Sequence, residues 1–331
     1  METILYNEPL TIEAVHEKLD QSINKIRFNI LRVSFRAIEP VYISAYKGSA
    51  FRGCLGDALR RVVCRYNRYK SCEQCRFNQS CSLSLLYSSQ LPANHSLFGK
   101  YTNPPRPYII NPMPGQQTII EKDEIFFFDL TLVGSAVEHL PVLVQAFQTM
   151  GELGLGSRKS KFEPVKLEHF VPLYGFMPIP VFGTPAEIGL YALPFKSFTN
   201  LVPLRFIHPV RFLSGGEPYR EVPSFGMLAE NLTQRLALLA HLYCGAHWIN
   251  TDGIAAGCSN IHIKSHNLEW KDWTRYSGKQ GMRQNYDGHL GTITYTGELA
   301  SWQKLLNMGC WLHAGSTATF GLGKYEIDMN G

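Results

Sequence analysis

The chain closes two segments in the same way, and this repetition constrains its fold more than any other feature. Met150-Gly151-Glu152-Leu153-Gly154-Leu155-Gly156-Ser157-Arg158-Lys159 leads into an extended stretch that reaches Phe170. His313-Ala314-Gly315, followed by Thr319-Phe320-Gly321-Leu322-Gly323-Lys324, leads into Tyr325 to Met329. Each time a helical stretch gives way to Gly-Leu-Gly, a basic residue and a strand. Repetition at this separation means duplicated domains, because a solenoid would repeat at a far shorter period. Between the copies, Pro172, Pro178, Pro180 and Pro185 fall in a stretch rich in Gly and aromatics, residues 172–189, which reads as a linker. The expected organisation is a first domain over 1–171, the linker, and a second domain over 190–331. With 331 residues in all, each half has enough chain for its own core.

Apolar periodicity gives both halves the same order of elements. In the first, Arg27 to Ala37 alternates like a strand. Phe51, Leu55, Leu59, Val62 and Val63 recur at helical spacing up to Tyr66. Glu124 to Val133 reads as a strand and Val137 to Gly151 as a helix. In the second half, strands are expected at Leu204 to Leu213, Ser259 to His266 and Gly291 to Tyr295, with helices at Ser224 to Tyr243 and Leu299 to His313. Strand, helix, strand, strand, helix, strand is the ferredoxin-like order. The fold class is therefore α+β: tandem ferredoxin-like (RRM-like) domains with a glycine-rich C-terminal loop at 315–323 and a small four-Cys insertion at about 64–81.

Bulk properties exclude some classes of function. Apolar residues make up 45% of the chain and charged residues 18%, which argues for a compact protein. The net charge of +5 permits an anionic partner without demanding one. Residues 1–10 hold two glutamates and no apolar core, unlike a signal peptide. The greasiest stretch, 125–144, is interrupted by Asp129, Glu138 and His139 and is too polar to span a bilayer. No membrane partner is expected, and the cytoplasm is the expected location. There the eight cysteines stay reduced, so closely spaced ones point to metal before disulfide.

Four clusters carry chemistry. Gly315, Gly321 and Gly323 lie close to Ser316, Thr317 and Thr319. Glycines let successive N–H groups approach an anion and form a phosphate nest, with the hydroxyls and Lys324 as added donors. The bland alternative is a tight turn before a final strand. The earlier copy adds Arg158, Lys159 and Lys161 to a similar turn. A nucleotide-triphosphate loop is disfavoured, because no Gly-Lys-Ser or Gly-Lys-Thr follows and the segment exits into a strand. Cys64, Cys72, Cys75 and Cys81 are separated by seven, two and five residues. That spacing suits a tetrahedral structural zinc, with a four-thiolate iron–sulfur cluster as the alternative. The remaining four cysteines are scattered and read as core. Lys47, Ser49 and Arg52 stand at the entry to the first helix, where backbone N–H groups favour anions. Arg60 and Arg61 at its far end are either a solvated pair or further phosphate contacts. Lys271, Arg275, Lys279 and Arg283 interleave with Trp270, Trp273 and Tyr276, a pattern suited to unpaired bases and phosphates. Among the eleven histidines, His313 is best placed, ending a helix directly before the glycine turn, where an imidazole can move a proton or simply complement the helix dipole. His208, before Pro209 in a strand, reads as structural.

Taken together these segments resemble CRISPR-associated repeat-RNA endonucleases of the RAMP superfamily, the sixth Cas family. The resemblance runs over nearly the whole chain. It rests on Phe51-Arg52-Gly53-Cys54-Leu55-Gly56-Asp57-Ala58-Leu59-Arg60, the cysteine cluster and Pro105-Arg106-Pro107-Tyr108, and on Gly154-Leu155-Gly156, Arg275-Tyr276-Ser277, Gln280 and the block from His313 to Gly323. It implies cleavage of precursor CRISPR RNA within each repeat, without a catalytic metal. A 2′-hydroxyl would attack the adjacent phosphate to leave a cyclic phosphate and a 5′-hydroxyl, and the product would pass to other Cas effector subunits. His313 is then expected as general acid or base, with Lys47 and Arg52 stabilising the phosphate. RNA contacts are expected from Arg60, Arg61, Arg158, Lys159, Lys161, Arg275, Tyr276, Lys279, Gly315, Ser316, Thr317, Thr319, Gly321, Gly323 and Lys324. The chain departs from its relatives in two places. It has no histidine between Tyr46 and Tyr66, and Ser316 stands where a lysine often follows the His-x-Gly block. These departures favour a second reading, a catalytically silent subunit that caps crRNA in an effector complex. A zinc-stapled interaction module without an RNA role is the third.

Overall fold

The computed structural model describes residues 12–65, 72–88, 104–180, 183–272, 274–277 and 282–329. The architecture is α+β. Helix α1 (Ile12–Lys25) precedes strand β1 (Phe28–Ala37), the short β2 (Val41–Tyr42) and helix α2 (Gly48–Val63). Then come β3 (Tyr108–Pro112), the short β4 (Ile119–Ile120), β5 (Ile125–Val133), helix α3 (Leu140–Leu153), β6 (Phe162–Val171) and β7 (Gly175–Pro178). The second half runs through β8 (Leu201–Val210), the small hairpin β9 (Leu213–Ser214) and β10 (Glu217–Pro218), and helix α4 (Phe225–Cys244). It finishes with β11 (His262–Lys271), the hairpin β12 (Thr274–Ser277) and β13 (Met282–Asn285), β14 (Gly288–Thr296), helix α5 (Gln303–Leu312) and β15 (Tyr325–Ile327).

Two antiparallel sheets organise these elements, in the orders β3-β5-β1-β6-β7 and β11-β14-β8-β15. With the edge strand β7 set aside, both place their four strands in one spatial order: second, third, first, fourth. Leu31, Val33 and Phe35 of β1 point to the side where α2 and α3 pack, giving the first core. There Phe35 lies against the rings of Phe126, Phe128 and Phe162, and burial of each such ring contributes roughly 1.5–3 kcal/mol. The second core lies between β8, β14 and β15 and helices α4 and α5. Helix α4 keeps its limits through local chemistry. The Ser224 hydroxyl accepts from the Met227 N–H at 3.2 Å, and Gly245 takes the left-handed conformation just past the last turn.

The structure differs from the expected boundaries in three respects. First, α1 precedes β1 in sequence, yet Val15, Leu19 and Ile23 are buried in the second core. The helix lies on α4 and α5, with His16 edge-on to Trp302 at 4.3 Å and Lys304 paired to Asp20 at 2.7 Å. Its apolar stripe needs a helical layer, and the helices of the first sheet are already matched to each other. Second, part of the expected linker is structured: β7 extends the first sheet beside β6, and Ile188 exchanges backbone hydrogen bonds with Phe28 at 3.0 and 2.8 Å. Third, strand β3 was absent from the periodic reading, since it has only three fully buried residues, Tyr108, Ile109 and Ile110. Among the described residues, no helix is long and apolar enough to cross a membrane.

Candidate nucleic-acid interface at the domain seam

The start of α2, from the first half, meets the glycine-rich loop from the end of the second. The loop turns at Ala318–Phe320 and rests on β3 and on the first turn of α2. Gly48 makes the approach possible, because a Cβ there would collide with the Phe320 carbonyl oxygen. Gly321, at φ +85°, packs against the Ile110 carbonyl in the same way. The Tyr46 hydroxyl donates to the Phe320 carbonyl, and His208 Nδ1 donates to the Gly321 carbonyl at 2.7 Å. Tyr46, Tyr286 and Phe320 form a run of rings, with centroids 6.1 and 5.2 Å apart, and the His208 ring lies 6.5 Å from that of Tyr46.

Cations line this seam. The Arg52 guanidinium lies between the Tyr87 and Phe320 rings, 4.6 and 4.5 Å from their centroids, a cation–π arrangement. Burial works against its charge, but the Tyr108 and Tyr87 hydroxyls outweigh it and push its pKa up. Arg106 donates to the Tyr87 carbonyl at 2.6 Å. Its pKa is lowered, by burial first and by the positive charge of Arg52 second. Neither arginine has a carboxylate partner among the described residues. Lys47, just before α2, is 1% exposed and donates from Nζ to the Gly115 carbonyl at 2.8 Å, and burial lowers its pKa. His208 is half-buried, and burial followed by nearby Lys324 holds its imidazole below the usual range despite the Gly321 hydrogen bond. Because Nδ1 donates to a carbonyl, Nε2 of neutral His208 keeps its lone pair.

The other residues singled out from sequence fall in several places. His313, expected to handle protons, is 1% exposed and takes φ +63°. Its Nδ1 donates to the Leu322 carbonyl at 3.0 Å, and burial, with Lys324, His208 and Arg235 nearby, drives its pKa well below 6.5. It supports the loop from beneath. The glycine loop spends much of its N–H capacity internally. Gly315 donates to Asn231 Oδ1 at 2.7 Å, Ser316 to the Arg211 carbonyl, Gly321 to Ala318 and Gly323 to Pro209. A nest using all of these donors is therefore not available in this conformation; Thr317, Thr319 and Lys324 lie along the same loop. The earlier Gly-Leu-Gly turn docks on β2, where the Arg158 guanidinium covers the Tyr42 ring at 3.8 Å. Lys159 and Lys161 there are exposed. Arg60 and Arg61 form the last turn of α2. Arg275 and Tyr276 lie on β12, and Lys279 lies outside the described residues. Cys64, Cys72, Cys75 and Cys81 form no disulfide and are half-buried. Among the described residues no three His, Cys, Asp or Glu side chains are gathered as a metal site. The sequence reading passed over Tyr46, gave Arg106 no role and took His208 as structural. Only the prolines on either side of Arg106, which fix the backbone that presents it, offered a signal.

The geometry is that of two α+β halves that share a strand order and meet at a glycine-bearing seam. Residues 204–325 match the model of the CRISPR-associated endoribonuclease Cas6, and residues 26–184 match the AF_1859_N N-terminal domain, which begins directly after α1. The second half of the chain is thus similar to the Cas6 family. An uncharacterised protein of Archaeoglobus fulgidus is 26% identical over 139 residues, 42% of this chain. That match spans 45% of the relative's own length. A Cas6 product complex shares the fold at TM-score 0.53 and 15% identity, covering 91% of this chain and 99% of that one. Thermus thermophilus Cas6 gives 0.50 and 14%, covering 91% and 98%. A partial Cas6-RT-Cas1–Cas2 complex gives 0.55 and 12%, covering 92% of this chain and 47% of that one.

Proposed function

We propose that the chain binds CRISPR repeat RNA along the seam and cuts it without a catalytic metal. The single observation that carries this reading is the pair Arg52 and Arg106. Two half-buried cations side by side, without an acid among the described residues, repel each other, and a phosphate placed between them relieves that cost. The reading also takes each half as a ferredoxin-like unit, a view supported by the order of elements and the strand order common to both sheets.

In the proposed reaction a ribose 2′-oxygen attacks the adjacent phosphorus and the bond to the 5′-oxygen breaks, giving a cyclic phosphate and a 5′-hydroxyl. His208 takes the 2′-hydroxyl proton on Nε2. Lys47, whose pKa burial has lowered, gives a proton to the departing 5′-oxygen. Arg52 and Arg106 hold the charge that builds up on the phosphorane. His313 keeps the loop in place beneath them. Proton-transfer groups of this kind give about 10²- to 10⁴-fold each. Solved structures of the same fold that include a product complex and a Cas6-RT-Cas1–Cas2 complex support RNA and other Cas proteins as partners.

The test is single-turnover cleavage of the cognate repeat in EDTA, with wild type, His208→Ala and Arg52→Ala. Metal-free cleavage by the wild type, lost in both variants, is expected. Tight binding of RNA that stays intact would replace this reading with the catalytically silent one, and absence of binding would remove both.

A further inference from the structure

The turn between β6 and β7 exposes side chains that a fold normally covers. Leu173 is 99% exposed, more than any other large apolar side chain among the described residues, and its neighbour Tyr174 is 76% exposed. The backbone there is strained as well. The Tyr174 N–H donates to the Val171 carbonyl at 3.0 Å and closes a turn with Pro172 and Leu173 at its centre. Leu173 takes φ +72°, the left-handed conformation that the third position of a type II turn requires and that glycine or asparagine normally supplies. A leucine there brings its Cβ close to the following carbonyl oxygen, and its side chain recovers nothing from the core of this chain. Strain of this kind, kept at an exposed tip, points to a role outside the fold.

The surrounding sequence narrows what can cover the tip. Residues 170–186 contain no Asp, Glu, Lys or Arg, although the chain carries a net charge of +5. An RNA backbone is held by cations, and an anionic bilayer needs a basic patch beside the apolar anchor; this stretch offers neither. Strand β7 is the outermost strand of the first sheet, but Pro178 closes it and Pro180 follows. Prolines on an edge oppose pairing with a further strand, so contact is left to side chains. A second copy of the chain is excluded by size. Even a fully covered aromatic side chain removes only about 150–250 Å², so two tips meeting would fall well short of the roughly 800 Å² per partner of a free-standing interface.

We propose that Leu173 and Tyr174 form a knob that enters an uncharged, apolar pocket on another protein bound to the same RNA. Large side chains that lose all their water in a pocket are what anchor an interface. The small area suffices for a partner that is already held close, because tethering on one RNA makes the contact effectively intramolecular. In this respect the inference rests on the function proposed above, and it gives the other Cas proteins a place to dock.

The test places the photo-cross-linker benzoylphenylalanine at position 174 of the full chain, co-expressed with the Cas proteins and repeat array of its own locus. A control carries it at position 144 in place of Val144, which is exposed on α3. Light should join position 174, and not position 144, to one Cas protein, and adding Leu173→Gly should cut that adduct about tenfold. In the purified chain Leu173→Gly should keep or raise the melting temperature, because glycine takes the turn without strain, and repeat-RNA affinity and cleavage should stay at wild-type values. A weaker contact with an equal or firmer fold is a combination that a merely structural role does not give. An adduct with RNA, with a second copy or with nothing would overturn the inference. So would co-sedimentation of the wild type, but not of Leu173→Gly, with phosphatidylcholine–phosphatidylglycerol vesicles. A chain that binds no repeat RNA would defeat the functional reading, and the identity of the adduct would still decide the knob. Tyr174→Ser, free of the cross-linker, provides a second measurement: co-purification of the Cas proteins unchanged in both Leu173→Gly and Tyr174→Ser would also overturn the inference.

Discussion

Lys47 is an expensive residue by any physical measure. Its ammonium is buried, and it stands at a helix N-terminus, where the dipole disfavours a cation. Its one partner is the carbonyl of the exposed Gly115, which water can serve equally well. Lys47→Met should therefore leave stability unchanged or raise it by about 0.5–1 kcal/mol, while RNA cleavage falls; thermal melting and single-turnover rates measure the two together. Arg106 makes a different prediction. If it meets a phosphate, Arg106→Ala should reduce the dependence of log affinity on log salt by about 0.7 for a single-stranded contact, and an unchanged slope would remove it from the interface. His208 and His313 bear on pH. Burial holds both folded-state pKa values below the unfolded value of about 6.5. The unfolded chain then binds the proton more readily, so the stability they contribute is complete above about pH 6.5 and is lost as the pH falls toward the folded values. The melting temperature should drop on acidification from about pH 7.5 to about pH 5, and less steeply in His313→Gln.

At the scale of elements, the seam depends on close backbone approaches. Gly48→Ala places a methyl group against the Phe320 carbonyl oxygen, and overpacking of this kind costs about 1–3 kcal/mol. The same substitution at Gly53, which has open space around it and sits in the same helix, should be neutral or slightly stabilising through helix propensity. Chemical denaturation of the two variants separates a local clash from a general dislike of alanine in α2. The segment holding Cys64, Cys72, Cys75 and Cys81 raises a separate question. A structural zinc there would have to draw these thiols into one ligand set, and no three His, Cys, Asp or Glu side chains among the described residues form one. That proposal requires about one equivalent of zinc in the purified protein and a lower melting temperature after chelation. Metal-free protein with unchanged melting would sink it.

At the scale of the whole molecule, α1 joins the ends of the chain: the first described helix completes the core of the last domain. Leu19 is 2% exposed in that core. Leu19→Ala should cost about 2–5 kcal/mol and destabilise the second half more than the first. Hydrogen exchange would show protection falling in α4 and α5 ahead of α2 and α3. Much of the architecture was legible beforehand. The alternation in 27–37, the helical spacing after Phe51 and the repeated Gly-Leu-Gly turn each lie within one continuous stretch, where local pattern reports burial directly. The position of α1 was not legible, because an amphipathic stripe states that a helix must be covered and leaves open by what.

The sequence by itself determined the kinds of element, their repeated order and the glycines that allow the chain to turn tightly, since all of these follow from side-chain periodicity and backbone sterics over a few residues. Only the tertiary structure decided which cations go without a carboxylate among the described residues. Arg52 and Arg106 are 54 positions apart, and nothing in either neighbourhood predicts that the folded chain will place them together. The same holds for His208 beside Tyr46 and for His313 beneath its loop. Burial and pairing depend on what the rest of the chain brings to a point in space, and the roles proposed for these residues depend on both.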